Sequence, residues 1–225
     1  AMRVLGLIPA RGGSKSIPRK NLVDLGGVPL IQWTIQAALG SNLIRVVVST
    51  DDDEIAEISQ SLGAEVPFKR PAELSSDQAL SIDVVFHALD ALKEDFDAVM
   101  MLQPTSPFRT SIDIESAIKI IGDASSVISV VPVEGTHPAR MKFVDDGVLI
   151  DPPFAETIEN MPRQELRPMY IRNGAIYLTR ISDLRNRTFK GTLSRALIMP
   201  KERSINIDTG FDLAFARVAL SNGML

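Results

Sequence analysis

Four short apolar runs, residues 4–8, 44–49, 98–102 and 127–133, are nearly continuous rather than alternating. A strand with one wet face alternates, so continuous runs are expected where helices cover both faces of a sheet. Between the runs lie segments with helical spacing at 29–39, 52–62, 81–92 and 112–121. The second carries Ile55, Ala56, Ile58 and Leu62, and the third Ile82, Val85, Phe86, Leu89 and Leu92. Repeated strand–helix alternation predicts an α/β fold with a mostly parallel sheet and right-handed crossovers. A chain of 225 residues is expected to form a single domain, 1–225, around one such sheet.

After Val133 the texture changes. Six prolines fall within or beside residues 134–169, and Asp145-Asp146-Gly147 between Phe143-Val144 and Val148-Leu149-Ile150 predicts a hairpin. This stretch reads as an excursion from the sheet. Strands at 175–178 and 196–199 and a closing helix at 211–220 return the chain to the core. No internal repeat or low-complexity tract is visible.

Composition narrows the chemistry. With 24 Lys plus Arg against 28 Asp plus Glu, the net charge of −4 offers no overall basic field, so nucleic-acid binding is not expected. Zero Cys excludes disulfides, thiolate metal sites and a Cys nucleophile, and two His leave little for a His-based metal site. His87 reads as a core-edge residue and His137 precedes a proline. No apolar run approaches a membrane span, and residues 1–9 are too short for a signal peptide, so a cytoplasmic location and no membrane partner are expected.

The first run leads directly into Ala10-Arg11-Gly12-Gly13-Ser14-Lys15-Ser16-Ile17-Pro18-Arg19-Lys20-Asn21. Ligands of open α/β sheets bind at the carboxyl ends of strands, where this loop must sit. Gly12 and Gly13 let backbone N–H groups turn around an anion, and four cations suit a polyphosphate. Neither GxxxxGK[ST] nor GxGxxG is present, which disfavours ATPase and dinucleotide readings. The plainer alternative is a solvated basic loop. Asp51-Asp52-Asp53 reads as a helix start, with acids favoured by the macrodipole.

Taken with Arg70-Pro71-Ala72-Glu73-Leu74, Leu102-Gln103-Pro104-Thr105-Ser106-Pro107-Phe108-Arg109, Asn173-Gly174-Ala175-Ile176-Tyr177 and Ile205-Asn206-Ile207-Asp208-Thr209, the loop resembles that of the N-acylneuraminate cytidylyltransferases. The motifs run in order over roughly residues 4 to 213. The resemblance implies a Rossmann-like three-layer α/β/α core and a homodimer in which the excursion at about 134–169 reaches the partner. It implies Mg²⁺-dependent transfer of CMP from CTP to the anomeric hydroxyl of a nonulosonic acid, with release of pyrophosphate. A CMP-Kdo synthetase-like enzyme acting on 3-deoxy-manno-octulosonate, or a nucleotide-sugar binding domain without turnover, are the alternatives.

The resemblance also implies site roles. Arg11 and Lys20 hold the triphosphate, with Lys20 nearest the reacting phosphate and Asn21 fixing the nucleotide. Gly12, Gly13 and Ser14 supply backbone donors, while Lys15 and Arg19 read equally well as solvated. Arg70 and Ser81 face cytosine, although a surface arginine and a helix-start serine are the plain readings. Gln103 contacts the sugar acid, or else belongs to a solvent-facing turn. Arg140, Arg163 and Asn173 are the other sugar-side residues, with Tyr177 lining the pocket; Arg172 stands one place later than the arginine usual before this asparagine. Asp208 and Asn206 are the Mg²⁺ residues, where relatives have Asp-Ile-Asp; an amide oxygen ligates without charge. Asp208 could instead cap the helix that follows.

Overall fold

The computed structural model describes residues 1–225. In chain order its elements are β1 (Val4–Pro9), β2 (Asp24–Leu25), β3 (Val28–Pro29), α1 (Leu30–Leu39), β4 (Arg45–Ser49), α2 (Asp53–Ser61), α3 (Ser81–Leu92), β5 (Ala98–Met101), α4 (Ser111–Ile120) and β6 (Ser126–Pro132). Then follow β7 (Phe143–Asp145), β8 (Val148–Ile150), β9 (Tyr170–Arg180), α5 (Ile181–Leu184), β10 (Ser194–Ile198) and α6 (Gly210–Ser221).

Six strands form one sheet in the order β10-β6-β9-β5-β1-β4. β1 runs parallel to β4 and β5, and β10 parallel to β6, while β9 is antiparallel to both of its neighbours. The continuous apolar runs are explained by cover on both faces. On one face Ile31 and Ile35 of α1, Ile55 of α2 and Ile114 of α4 pack on Val4, Ile8, Val46 and Met100. On the other, Ile82 and Val85 of α3 and Leu184 of α5 pack on Leu5, Leu7, Val47 and Val99. The α/β/α sandwich is therefore present, mostly parallel as expected. A smaller cluster of Ile17, Leu25, Leu30, Phe108, Ile207 and Leu213 ties the basic loop and α6 to the body.

Local chemistry sets the helix starts. The Asp52 side chain accepts the Ile55 N–H, and Asp53 and Glu54 fill the first turn of α2. Thr110 with Asp113, and Thr209 with Asp212, form capping boxes that start α4 and α6.

The excursion between β6 and β9 holds the expected hairpin, with Val144 opposite Leu149 and a turn at Asp146-Gly147. Both of its strands are exposed along their whole length. No helix is long and apolar enough to cross a membrane.

Candidate active site

The loops that leave β1, β4 and β5 surround a mostly polar cleft of about 370 Å³. It is lined by Arg11, Gly13, Ser14, Lys20 and Asn21 from the first loop, Arg70, Asp77 and Ser81 from the segment entering α3, Gln103 after β5, and Asn206 and Asp208 before α6. The carboxyl edge of a parallel sheet is where such a site is expected. The structure thus brings together most of the residues that the sequence separates by nearly two hundred positions.

The first loop is closed by the Asn21 Nδ2, which donates to the Arg11 carbonyl at 3.0 Å. Gly12 is pressed against the start of α2: an added Cβ would lie 2.8 Å from the Asp52 Oδ2. Its N–H donates to the Asp51 Oδ1 at 2.9 Å, so Gly12 does not offer the free backbone donor expected of it. Arg19 turns away from the cleft and donates to Asp52 at 3.0 Å and Glu54 at 2.8 Å. That pairing raises the Arg19 guanidinium above its ordinary pKa and holds the Asp52 carboxyl down at about 2. Arg19 therefore belongs to the scaffold. Arg11 and Lys15 share the Asp77 carboxylate, at 2.5 Å and 2.9 Å.

Lys20 is the least compensated of the four cations. Its Nζ lies 3.9 Å from the Asp208 Oδ1, and burial pushes the ammonium below its usual pKa against the pull of that carboxylate. Asp208 does not cap α6, since the Thr209–Asp212 box does so. Instead its backbone N–H donates to Asp212 at 2.9 Å and its carbonyl accepts from the Ser16 hydroxyl, which leaves the carboxylate facing the cleft. The Asn206 Nδ2 donates to the Asp208 Oδ2 at 3.1 Å, so both side chains share one face of the extended segment.

No group of three or more His, Cys, Asp or Glu side chains is arranged to hold a metal ion. A single exposed carboxylate beside an amide nevertheless fits Mg²⁺, which keeps several waters and is completed by phosphate oxygens. Asp208 and Asn206 are the residues that would hold it.

Arg70 lines the cleft but is only 5% exposed. It donates to the Ser49 hydroxyl at 3.0 Å, the Ser49 carbonyl at 2.8 Å and the Leu74 carbonyl at 3.2 Å. Burial lowers it to about 10, which leaves it charged at neutral pH with two N–H groups still to offer. Ser81 is the first residue of α3 and is exposed to the cleft. Gln103 lies against the Asn173-Gly174 turn.

Four expected sugar-side residues are elsewhere in the chain. Asn173 is buried in a bulge of β9, where Arg172 pairs with Val130 but Tyr177 pairs with Ile128. Its Oδ1 accepts from Ser129 at 2.6 Å and from the Ala175 N–H at 3.1 Å, and its Nδ2 donates to Ser204 at 3.0 Å. The side chain is consumed in shaping the bulge. Tyr177 packs with Phe189 in the cluster under the opposite sheet face: four residues beyond Asn173 a regular strand would return to the same side, but from Arg172 to Tyr177 β9 advances five residues while β6 advances only from Val130 to Ile128. Arg140 donates to the Met161 carbonyl at 2.6 Å inside the excursion, and Arg163 stands on a separate short turn there. Neither lines the cleft within one chain.

Sequence reasoning gave no role to Arg109, Asp77 or Asp212. Arg109 is buried beneath the site and donates to the Gln103 carbonyl at 2.6 Å, the Ala175 carbonyl at 3.1 Å and the Thr34 hydroxyl at 2.6 Å. Burial lowers it to about 9, so it too is charged at neutral pH. The sequence shows its place at the end of the LQPTSPFR stretch but not the inward direction of its side chain.

A family model described as "Cytidylyltransferase" matches residues 5–145, a span that holds the basic loop, Arg70, Ser81 and Gln103. The chain belongs to the cytidylyltransferase family. Among curated relatives, it is 37% identical over 221 residues to the CMP-N,N'-diacetyllegionaminic acid synthase of Legionella pneumophila, covering 95% of this chain and 94% of that protein. It is 37% identical over 218 residues to the N-acylneuraminate cytidylyltransferase of Streptococcus agalactiae, covering 94% of this chain but 52% of that longer protein. A solved CMP:2-keto-3-deoxy-manno-octonic acid synthetase complexed with CTP superposes with a TM-score of 0.74 at 20% identity, over 98% of this chain and 99% of that one. At that identity the likeness speaks for the fold of this cytidylyltransferase alone.

Proposed function

We propose that this cytidylyltransferase activates a nonulosonic acid: the sugar's anomeric hydroxyl attacks the α-phosphorus of CTP. An O–P bond forms, the bond from the α-phosphorus to the bridging oxygen breaks, pyrophosphate leaves with that oxygen, and the hydroxyl proton passes to solvent. Membership of the family and the two curated relatives, whose names contain a legionaminic and a neuraminic acid product or substrate, support this reading. The observation that carries it is the meeting of Lys20 and Asp208 across one cleft lined by the basic loop.

Arg11 and the Gly13–Ser14 backbone bind the triphosphate. Lys20, held in a poorly solvated position, stabilises the charge that builds on the α-phosphate and leaving group. The free N–H groups of Arg70 and the Ser81 hydroxyl face the pyrimidine edge, and Gln103 faces the sugar acid. Asp208 with Asn206 holds Mg²⁺, which supplies charge neutralisation at the phosphates. The exposed apolar hairpin β7–β8 serves as the contact surface of a homodimer, and Arg163 approaches a cleft only from a second copy.

The test is pyrophosphate release with CTP and Mg²⁺ against a panel of legionaminic, pseudaminic and neuraminic acids and 3-deoxy-manno-octulosonate. Release with at least one C9 acid and not with UTP is expected. Release only with the octulosonate would move the assignment to that sugar, and ligand-induced stabilisation without any release would favour a binding domain.

A further inference from the structure

Each cation of the basic loop already faces an acid: Arg11 and Lys15 face Asp77, Arg19 faces Asp52 and Glu54, and Lys20 faces Asp208. A loop so compensated has no bare positive charge to offer, which is at odds with capture of a polyphosphate. The pairs differ, however, in how they are held. The Asp52 carboxylate also accepts the Ile55 N–H as the cap of α2, so Arg19 is tied to a rigid element. The Asp77 carboxylate accepts from nothing but Arg11 and Lys15. Its backbone lies between the turn at 72–74 and the start of α3, in a stretch with no helix or strand. That stretch is anchored on one side where Arg70 donates to the Leu74 carbonyl and Ser75 to the Pro71 carbonyl. Neither bond involves residues 76–80, whose one internal backbone bond, from the Ala79 N–H to the Ser76 carbonyl, does not tie Asp77 to a helix or strand.

We infer that Asp77 is a resident competitor that occupies Arg11 and Lys15 until a polyphosphate displaces it, and so determines which anions the loop accepts. This rests on reading the cleft as the triphosphate site. A single carboxylate or orthophosphate would exchange one anion for another at Arg11 and gain little, since exposed ion pairs of this kind are worth little each. A triphosphate brings several charges and reaches Lys20 as well, so it wins the exchange. The device matters for a reaction whose second substrate is itself a carboxylate. It keeps the sugar acid off the cations meant for the nucleotide.

The test is titration calorimetry with inorganic tripolyphosphate and with orthophosphate, without metal, on the full chain and on Asp77→Asn and Asp53→Asn. Asp53 pairs only with Lys69 outside the cleft and controls for the loss of one surface charge. Asp77→Asn is expected to bind tripolyphosphate about fivefold more tightly, the order set by loss of partly exposed ion pairs, and to gain measurable orthophosphate binding. Asp53→Asn is expected to match the original chain. In the original chain, tripolyphosphate should speed hydrogen exchange of the amides in 75–80 as Asp77 is released. Unchanged or weaker binding by Asp77→Asn, an equal gain in Asp53→Asn, no binding by any form, or unaltered exchange in 75–80 would overturn the inference. If tripolyphosphate behaves as expected but CTP gives no pyrophosphate with any sugar, the proposed reaction fails and the role of Asp77 stands.

Discussion

Arg19 and Lys20 are consecutive cations with different work, and the difference lies in what each one meets. Arg19 meets the cap of α2, whereas Lys20 meets a cleft and a carboxylate 3.9 Å away. Lys20→Ala should lower kcat by about 10²-fold, as when one donor to a transition-state anion is lost, with circular dichroism unchanged. Arg19→Ala should leave kcat near that of the original chain and cost about 1 kcal/mol or less, read as a fall of a few degrees in Tm. At the metal face, Asp208→Ala should nearly abolish pyrophosphate release. Asn206→Asp should lower the Mg²⁺ concentration for half-maximal rate, since a carboxylate adds charge to the same face, without a matching rise in kcat. The loop residues could be read from the sequence because they are consecutive and follow a strand. Asn173 could not, because whether an amide faces a ligand or staples a bulge depends on Ser129 and Ser204, which the chain brings to it from both directions.

Among the elements, α1, α2, α3, α4 and α6 are legible to within about a residue, since capping side chains and apolar spacing are local signals, whereas the single turn α5 carries no such spacing. The spacing at 52–62 and the triple Asp yield α2 at Asp53–Ser61 with Asp52 as its cap. The cap carries a pH signature. Arg19 lowers the Asp52 carboxyl from 3.8 to about 2, so its contribution to stability is full above about pH 4 and is lost as pH falls toward 2. Thermal melts of Asp52→Asn should start lower and fall less steeply than those of the original chain across that window. β9 is less legible. Its apolar stretch 175–178 stands out, yet the strand spans Tyr170–Arg180 and runs against its neighbours, and neither its exposed beginning nor its direction leaves a local mark. The bulge depends on Gly174, whose φ of 75° disfavours a side chain and where an added Cβ would lie 2.8 Å from the Gln103 Oε1. Gly174→Ala should lower stability by about 1–2 kcal/mol from the left-handed backbone and, by pushing Gln103, raise KM for the sugar more than for CTP.

For the whole molecule, the hairpin of the excursion is an apolar element that its own chain leaves unburied on both strands. Leu149 is 71% exposed and pairs across the hairpin with Val144, itself 65% exposed. Replacing both with Ser should convert a dimer to a monomer in light scattering while leaving CTP binding intact, and a monomeric original chain would remove that assignment. The reversed central strand has a different consequence, one of timing. β5 and β6 leave the ribosome early, but neither can pair with the other, because the slot between them belongs to β9. Until residue 180 has been made, the nascent sheet is β4-β1-β5 alone and β6 has no partner on either side, since β10 lies later still. Closing the sheet requires contacts far apart in the chain, such as Met101 with Tyr177, which are slow to form. In pulse-labelling during refolding, the amides of β9 and the facing edge of β5 should gain protection last. The keystone of the sheet is thus laid after the stones on either side of it.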